Sequence, residues 1–93
     1  MTTQKVFTFF QDPGHGWIRV SPADCADVGL SADSFTRYSY RDANFFYLEE
    51  DCDASRFAEA YQAKHGCQLR IKDSHRNSDS PIRRLARLNM KAD

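Results

Sequence analysis

The sequence predicts an α+β fold: a five-stranded, mainly antiparallel sheet in the order ββα-ββα-β, with helices packed on one face and a short C-terminal helical tail. Three observations predict it. Six of the eleven Phe and Tyr residues lie between Phe35 and Tyr47, and such side chains suit a pleated, half-buried surface. Polar turn chemistry divides the apolar runs into pairs, which is a hairpin signal. Two stretches carry helix-start residues followed by a glycine stop.

In chain order, Lys5–Gln11 reads as the first strand, with Val6 and Phe10 on one face and Phe7 and Phe9 on the other. A strand apolar on both faces is central and covered on both sides, or presents one side to a partner. Either a helix layer on each side of the sheet or a homodimer through one face therefore follows. Asp12-Pro13-Gly14-His15-Gly16 is a turn, because proline presets φ and glycine accepts a positive one. Trp17–Val20 returns as the second strand. Ser21 is an N-cap with Pro22 at the first helical position and Asp24 as its acidic partner. Gly29 ends that helix, whose small apolar face comprises Ala23, Ala26 and Val28, with Cys25 nearby.

The central hairpin pairs Phe35–Tyr40 with Phe45–Glu49 across the turn 41–44. Asp51 or Asp53 caps a second helix, Ala54–His65, closed by Gly66. Its residues Ala54, Phe57, Ala58 and Tyr61 form one apolar stripe. Cys67, Leu69 and Ile71 alternate with Gln68, Arg70 and Lys72, as in a half-buried strand with a basic outer face. After the polar loop 73–79, Ser80-Pro81 repeats the helix-start signal. Ile82, Leu85 and Leu88 then recur every third residue, a spacing that fits a helical stripe and also a 3₁₀ or extended segment.

The 93 residues read as a single domain, 1–93, of a size that folds alone. No apolar run approaches the roughly 20 residues of a membrane span, and MTTQKVFTFFQD lacks the regions of a signal peptide. Three cysteines, an odd and unclustered number, read as free, buried thiols in a reducing compartment. The net charge is zero. It hides four Lys or Arg against nine Asp or Glu in residues 1–53, and nine against four in residues 54–93. This allows one acidic and one basic face, or halves that attract each other.

The acidic elbow Glu49-Glu50-Asp51-Cys52-Asp53 caps a helix or forms a protein-binding edge. A metal would need oxygens converging from more than one element, which a linear run does not promise. His15 and Trp17, beside glycines that permit close approach, are interface contacts if exposed, since Trp is frequent at binding hot spots. Trp17 packed inward is the structural alternative. No zinc-ligand spacing occurs. Cys52 lies among anions, which blunt a thiol's reactivity. Neither a catalytic set, a metal nor a cofactor is assigned. A second reading takes Arg70, Arg83, Arg84 and Arg87, with Lys91, Lys72 and Arg76 in support, as a nucleic-acid surface. The zero net charge, and the lack of interleaved aromatic and basic residues, weigh against it.

Two strings carry a resemblance: Phe9-Phe10-Gln11-Asp12-Pro13-Gly14-His15-Gly16-Trp17, and Tyr38-Ser39-Tyr40 followed by Tyr47–Ala54, with Asp79-Ser80-Pro81-Ile82-Arg83 later. Together they resemble small proteins of unknown function from bacteriophages and related mobile elements. That resemblance implies no catalytic residues. By analogy it implies binding to a host protein or defence complex, such as a CRISPR effector, in the bacterial host cytoplasm. The expectation is thus a non-catalytic protein-binding module contacting its partner through His15, Trp17, Glu49, Glu50, Asp51 and Asp53. The partner would present a basic groove.

Overall fold

The computed structural model describes residues 5–89. Its elements are β1 (Val6–Gln11), β2 (Gly16–Val20), α1 (Pro22–Asp27), a 3₁₀ turn (Ala32–Ser34), β3 (Tyr40–Arg41), β4 (Phe46–Glu49), α2 (Asp53–His65), β5 (Arg70–His75), a 3₁₀ turn (Pro81–Arg84) and β6 (Ala86–Arg87). They form an α+β fold with one six-stranded mixed sheet, in the order β5-β1-β2-β4-β3-β6. Among the described residues no helix is long and apolar enough to cross a membrane.

Five mainly antiparallel strands were expected; six are present, and of their pairings only that of β5 with β1 is parallel. The reason lies in the crossover. β1, β2 and β4 alternate in direction, so β4 runs the same way as β1. The 13-residue helix α2 returns the chain to the end where β4 began, and β5 must then run parallel to both. As an edge strand β5 is exposed at all six positions, so the half-buried strand expected there is corrected. Leu69, just before it, is the partly buried residue, while Cys67 is exposed.

The helix signals lead to real caps. Ser21 and Asp24 complete a reciprocal capping box, and Gly66 ends α2 in the left-handed region at φ 72°. On α1, however, Ala23 and Ala26 are exposed, and Cys25 is the buried contact. Lys64 and His65, at the end of α2, both reach the Asp27 carboxylate at 2.8 Å and tie the helices together.

Strand alternation divides the aromatic residues between two faces. One core joins Phe7, Ile18, Val20, Leu48 and Phe35 to Cys25 of α1 and to Phe57 and Tyr61 of α2. The other gathers Trp17, Tyr47 and Ile82, flanked by Phe10, Tyr40, Phe45 and Leu85. The second face is therefore covered by the C-terminal segment and not by a second helix layer. The three-residue stripe of that segment is split between the faces. Ile82 and Leu85 serve the second core and Leu88 the first, because only Pro81–Arg84 is 3₁₀ and the chain beyond is extended. The helical tail is corrected accordingly; Lys91 lies outside the described residues.

In the central hairpin the first strand is only Tyr40–Arg41. Residues 35–39 are held by another device: the Asp53 carboxylate accepts the Thr36 N–H at 3.0 Å, the Thr36 hydroxyl at 2.8 Å and the Ser39 hydroxyl.

Candidate functional site

The site begins with Asp12. Its Oδ1 accepts the N–H groups of Gly14 (3.0 Å) and His15 (2.9 Å), and its own N–H donates to the His15 carbonyl at 2.9 Å. This side-chain-closed turn places the exposed His15 at the tip of the β1–β2 connection. The same carboxylate, 2% exposed as a residue, reaches across to the C-terminal segment. Oδ2 accepts the Ser80 N–H at 2.9 Å and Arg83 Nε at 2.7 Å, while Arg83 Nη2 donates to Oδ1 at 2.8 Å. The Arg83 guanidinium holds the Asp12 carboxyl well below the usual carboxylate range. The N–H groups of Ser80, His15 and Gly14 help it outweigh desolvation. Arg83 then lies 5.4 Å from the Trp17 ring centre.

Trp17 pairs with Glu49 across the β2–β4 ladder. Glu49, 7% exposed, turns its carboxylate onto the elbow that follows: Oε1 accepts Asp51 N–H at 3.0 Å and Oε2 accepts Cys52 N–H at 3.2 Å. Burial pushes the Glu49 carboxyl above its ordinary value, against the pull of those N–H groups. Glu50 N–H donates to the Gly16 carbonyl, extending the ladder into the elbow and leaving Asp51 exposed beside His15. On the other side, Arg87 lies 4.6 Å from the Tyr40 ring centre and donates to the Arg37 carbonyl at 3.2 Å.

These groups enclose a hollow of about 410 Å³. His15, Glu49, Asp51, Cys52, Arg83 and Arg87 line it together with the Trp17, Tyr38 and Tyr40 rings. Part of the expected acidic edge (His15, Trp17, Glu49 and Asp51) and part of the expected basic surface (Arg83 and Arg87) thus meet in one place. His15, Glu49 and Asp51 also place one ligand atom each within 4.8 Å of one another.

Several expected contacts take other roles. Trp17 is 2% exposed: strand alternation turns it toward the face covered by the C-terminal segment, so it lines the base of the hollow and is no protruding anchor. Asp53, also 2% exposed, neither caps α2 nor faces a partner, since its oxygens bind Thr36 and Ser39. Cys52 stands at the N-cap without a side-chain cap bond. Glu50 is half-buried outside the hollow's lining. Of the arginines, Arg70 and Arg87 sit on β5 and β6, at opposite edges of the sheet. Arg84 is exposed on the 3₁₀ turn, and Arg83 is paired with Asp12. Arg70 is thus apart from Arg87, while Arg83, Arg84 and Arg87 share the C-terminal segment.

The thiols are corrected too. All three are free, but only Cys25 is buried. Desolvation, with the Asp24 charge, pushes the Cys25 thiol up to about 12. Cys52 is raised by desolvation and by the charges of Glu49, Asp53 and Asp51. The sequence reading missed Tyr38 and Tyr40 as lining residues and Asp12 as the organiser. The Asp-Pro-Gly-His string was the available signal for Asp12, since aspartate before a turn bonds the backbone two and three residues on.

Comparison with protein-family models, with characterised proteins and with solved structures finds no match to this chain.

Proposed function

We propose that the chain is a non-catalytic protein-binding module that engages its partner through the hollow between the β1–β2 turn, the elbow 49–52 and the C-terminal segment. The carrying observation is that carboxylates, guanidinium groups and three aromatic rings line one cavity. A cavity of about 410 Å³ is of a size for one or two side chains. Its two signs select a segment offering a cation toward Asp51 and an anion toward Arg87, because like charges brought face to face would oppose docking. Tyr38, 51% exposed at the rim, supplies the aromatic contact characteristic of such anchors. The partner surface is therefore of mixed charge, in place of the wholly basic groove expected from the acidic string. The resemblance to small phage and mobile-element proteins supports a host protein or defence complex as its source.

The test is affinity capture from bacterial lysate with the wild-type chain, Tyr38→Ala, Asp51→Arg and, as a distant control on β5, Lys72→Glu. A specific protein recovered by wild type and Lys72→Glu but lost with the other two supports the reading. Recovery must also survive nuclease treatment. Absence of any specific protein, or equal recovery by all four chains, overturns it.

A further inference from the structure

The acidic lip of the hollow has a composition of its own. His15 comes from the β1–β2 turn, Glu49 from the end of β4 and Asp51 from the elbow, so the ligand set draws on two separate parts of the chain. The sequence could not show this, because the acidic string is linear and His15 lies 34 positions before Glu49. Each residue brings one imidazole nitrogen or carboxylate oxygen to within 4.8 Å of the others.

We propose that His15, Glu49 and Asp51 form a site for a divalent transition ion of the zinc class. One imidazole and two carboxylates suit a borderline ion better than Mg²⁺ or Ca²⁺, which prefer all-oxygen shells. Bonds of about 2.0–2.2 Å in a tetrahedron require ligand atoms roughly 3.4 Å apart. The set must therefore contract by little more than an ångström. Glu49 is the fixed member, buried and held by two backbone N–H groups. His15 and Asp51 are exposed, so their side chains can turn onto the ion without displacing the core. Each Glu49 oxygen keeps a further lone pair beyond its N–H bond. The Asp12 turn fixes the His15 backbone, which confines the imidazole search to rotation about its side-chain bonds. Three protein ligands leave the fourth position to water or to an anionic group, carboxylate or phosphate, in the hollow. Arg83 and Arg87 also line that hollow. This site does not depend on the protein-binding reading, and metal alone tests it.

Zn²⁺ titration by calorimetry, followed by Co²⁺ absorption spectroscopy, is the experiment. The expected result is one Zn²⁺ per chain, weakened by about tenfold or more in His15→Gln and in Asp51→Asn, the scale seen when support for a metal site is lost. His75→Gln and Glu50→Gln should bind as wild type does. The Co²⁺ spectrum should show visible ligand-field bands without a thiolate charge-transfer band, which distinguishes this set from coordination by the exposed Cys52 or Cys67. The proposal is overturned if no Zn²⁺ binds, if His15→Gln and Asp51→Asn bind as tightly as wild type, or if a thiolate band accompanies binding.

Discussion

Asp12 and Arg83, 71 positions apart, meet in a two-pronged ion pair at 2.7 and 2.8 Å, and this pair ties the first turn of the sheet to the segment covering its second face. The Asp12 side chain is fully buried and the Arg83 side chain 31% exposed. Removing the acid would leave a partly desolvated cation and three backbone N–H groups without their acceptor.

Asp12→Ala is therefore expected to cost about 2–4 kcal/mol, near the lower part of the range for breaking a buried pair because Arg83 keeps some water. Acid tests the same link. The folded-state pKa of Asp12 is depressed, so its contribution is fully present above the unfolded carboxylate value of about 3.9 and is lost as pH falls below it. Urea midpoints measured from neutral pH downward should drop steeply in that acid window for wild type. In Arg83→Met the drop should be shallower, since the folded pKa then lies nearer the unfolded one. Identical acid slopes would show that the pair contributes nothing.

Ser39 offers a second test. It is fully buried; its hydroxyl donates to Asp53 and accepts the Glu49 N–H at 2.9 Å. Ser39→Ala would orphan a buried N–H at the end of β4 and remove one donor from a buried carboxylate, at an expected cost of about 1–3 kcal/mol. Ser34→Ala, which removes only an exposed bond to Ser31 N–H, should stay within about 0.5 kcal/mol. Chemical denaturation of the two variants side by side decides it.

These residues also explain what the sequence could and could not reveal. Local features were legible: the Ser21–Asp24 box, the Gly66 stop and the 12–16 turn each involve side chains bonding a few positions away, where residue type and spacing determine the outcome. Phe7 and Phe9 opposite Phe10 announced apolar residues on both faces of the sheet, and left open whether the chain itself or a partner covers the second. Which element supplied the second cover was not legible, because an Ile-Leu-Leu period of three suits a helix and an extended chain alike. Asp53 looked like a cap because it begins a helix. Its actual partners, Thr36 and Ser39, lie 17 and 14 positions earlier, and nothing local marks that pairing. The hollow had the same history. Its acidic and basic members were each noticed, but the Asp12–Arg83 link that brings them together is a long-range contact.

The cysteines give a chemical readout of burial. Cys52 and Cys67 are exposed and Cys25 is buried, with its thiol pushed up to about 12. In the native protein two of the three thiols should react with a neutral disulfide reagent, and the third only after denaturation. Thiolate is the reacting species, so Cys52, whose pKa is raised, should react faster as pH increases through the alkaline range. Mass spectrometry of partially labelled protein assigns each site. Rapid native labelling of Cys25 would show that the α1 contact with the sheet opens readily.

Deletion of the chain from Ser80 onward tests the role of the C-terminal segment as the second layer. Ile82 and Leu85 pack on Trp17, Tyr47 and Phe10, and their loss would bare a contiguous aromatic face while also removing Arg83 from Asp12. Exposed apolar surface of that kind promotes association. Light scattering at two concentrations should give the mass of a single chain for the intact protein, and a larger, concentration-dependent mass for the truncated one. Binding of a hydrophobic dye should rise in parallel. If the intact chain already scatters as a dimer, association uses a surface other than this covered face, such as the exposed edge strand β5. A truncated chain that stays monomeric and binds no dye would mean that the second face is not held closed by this segment.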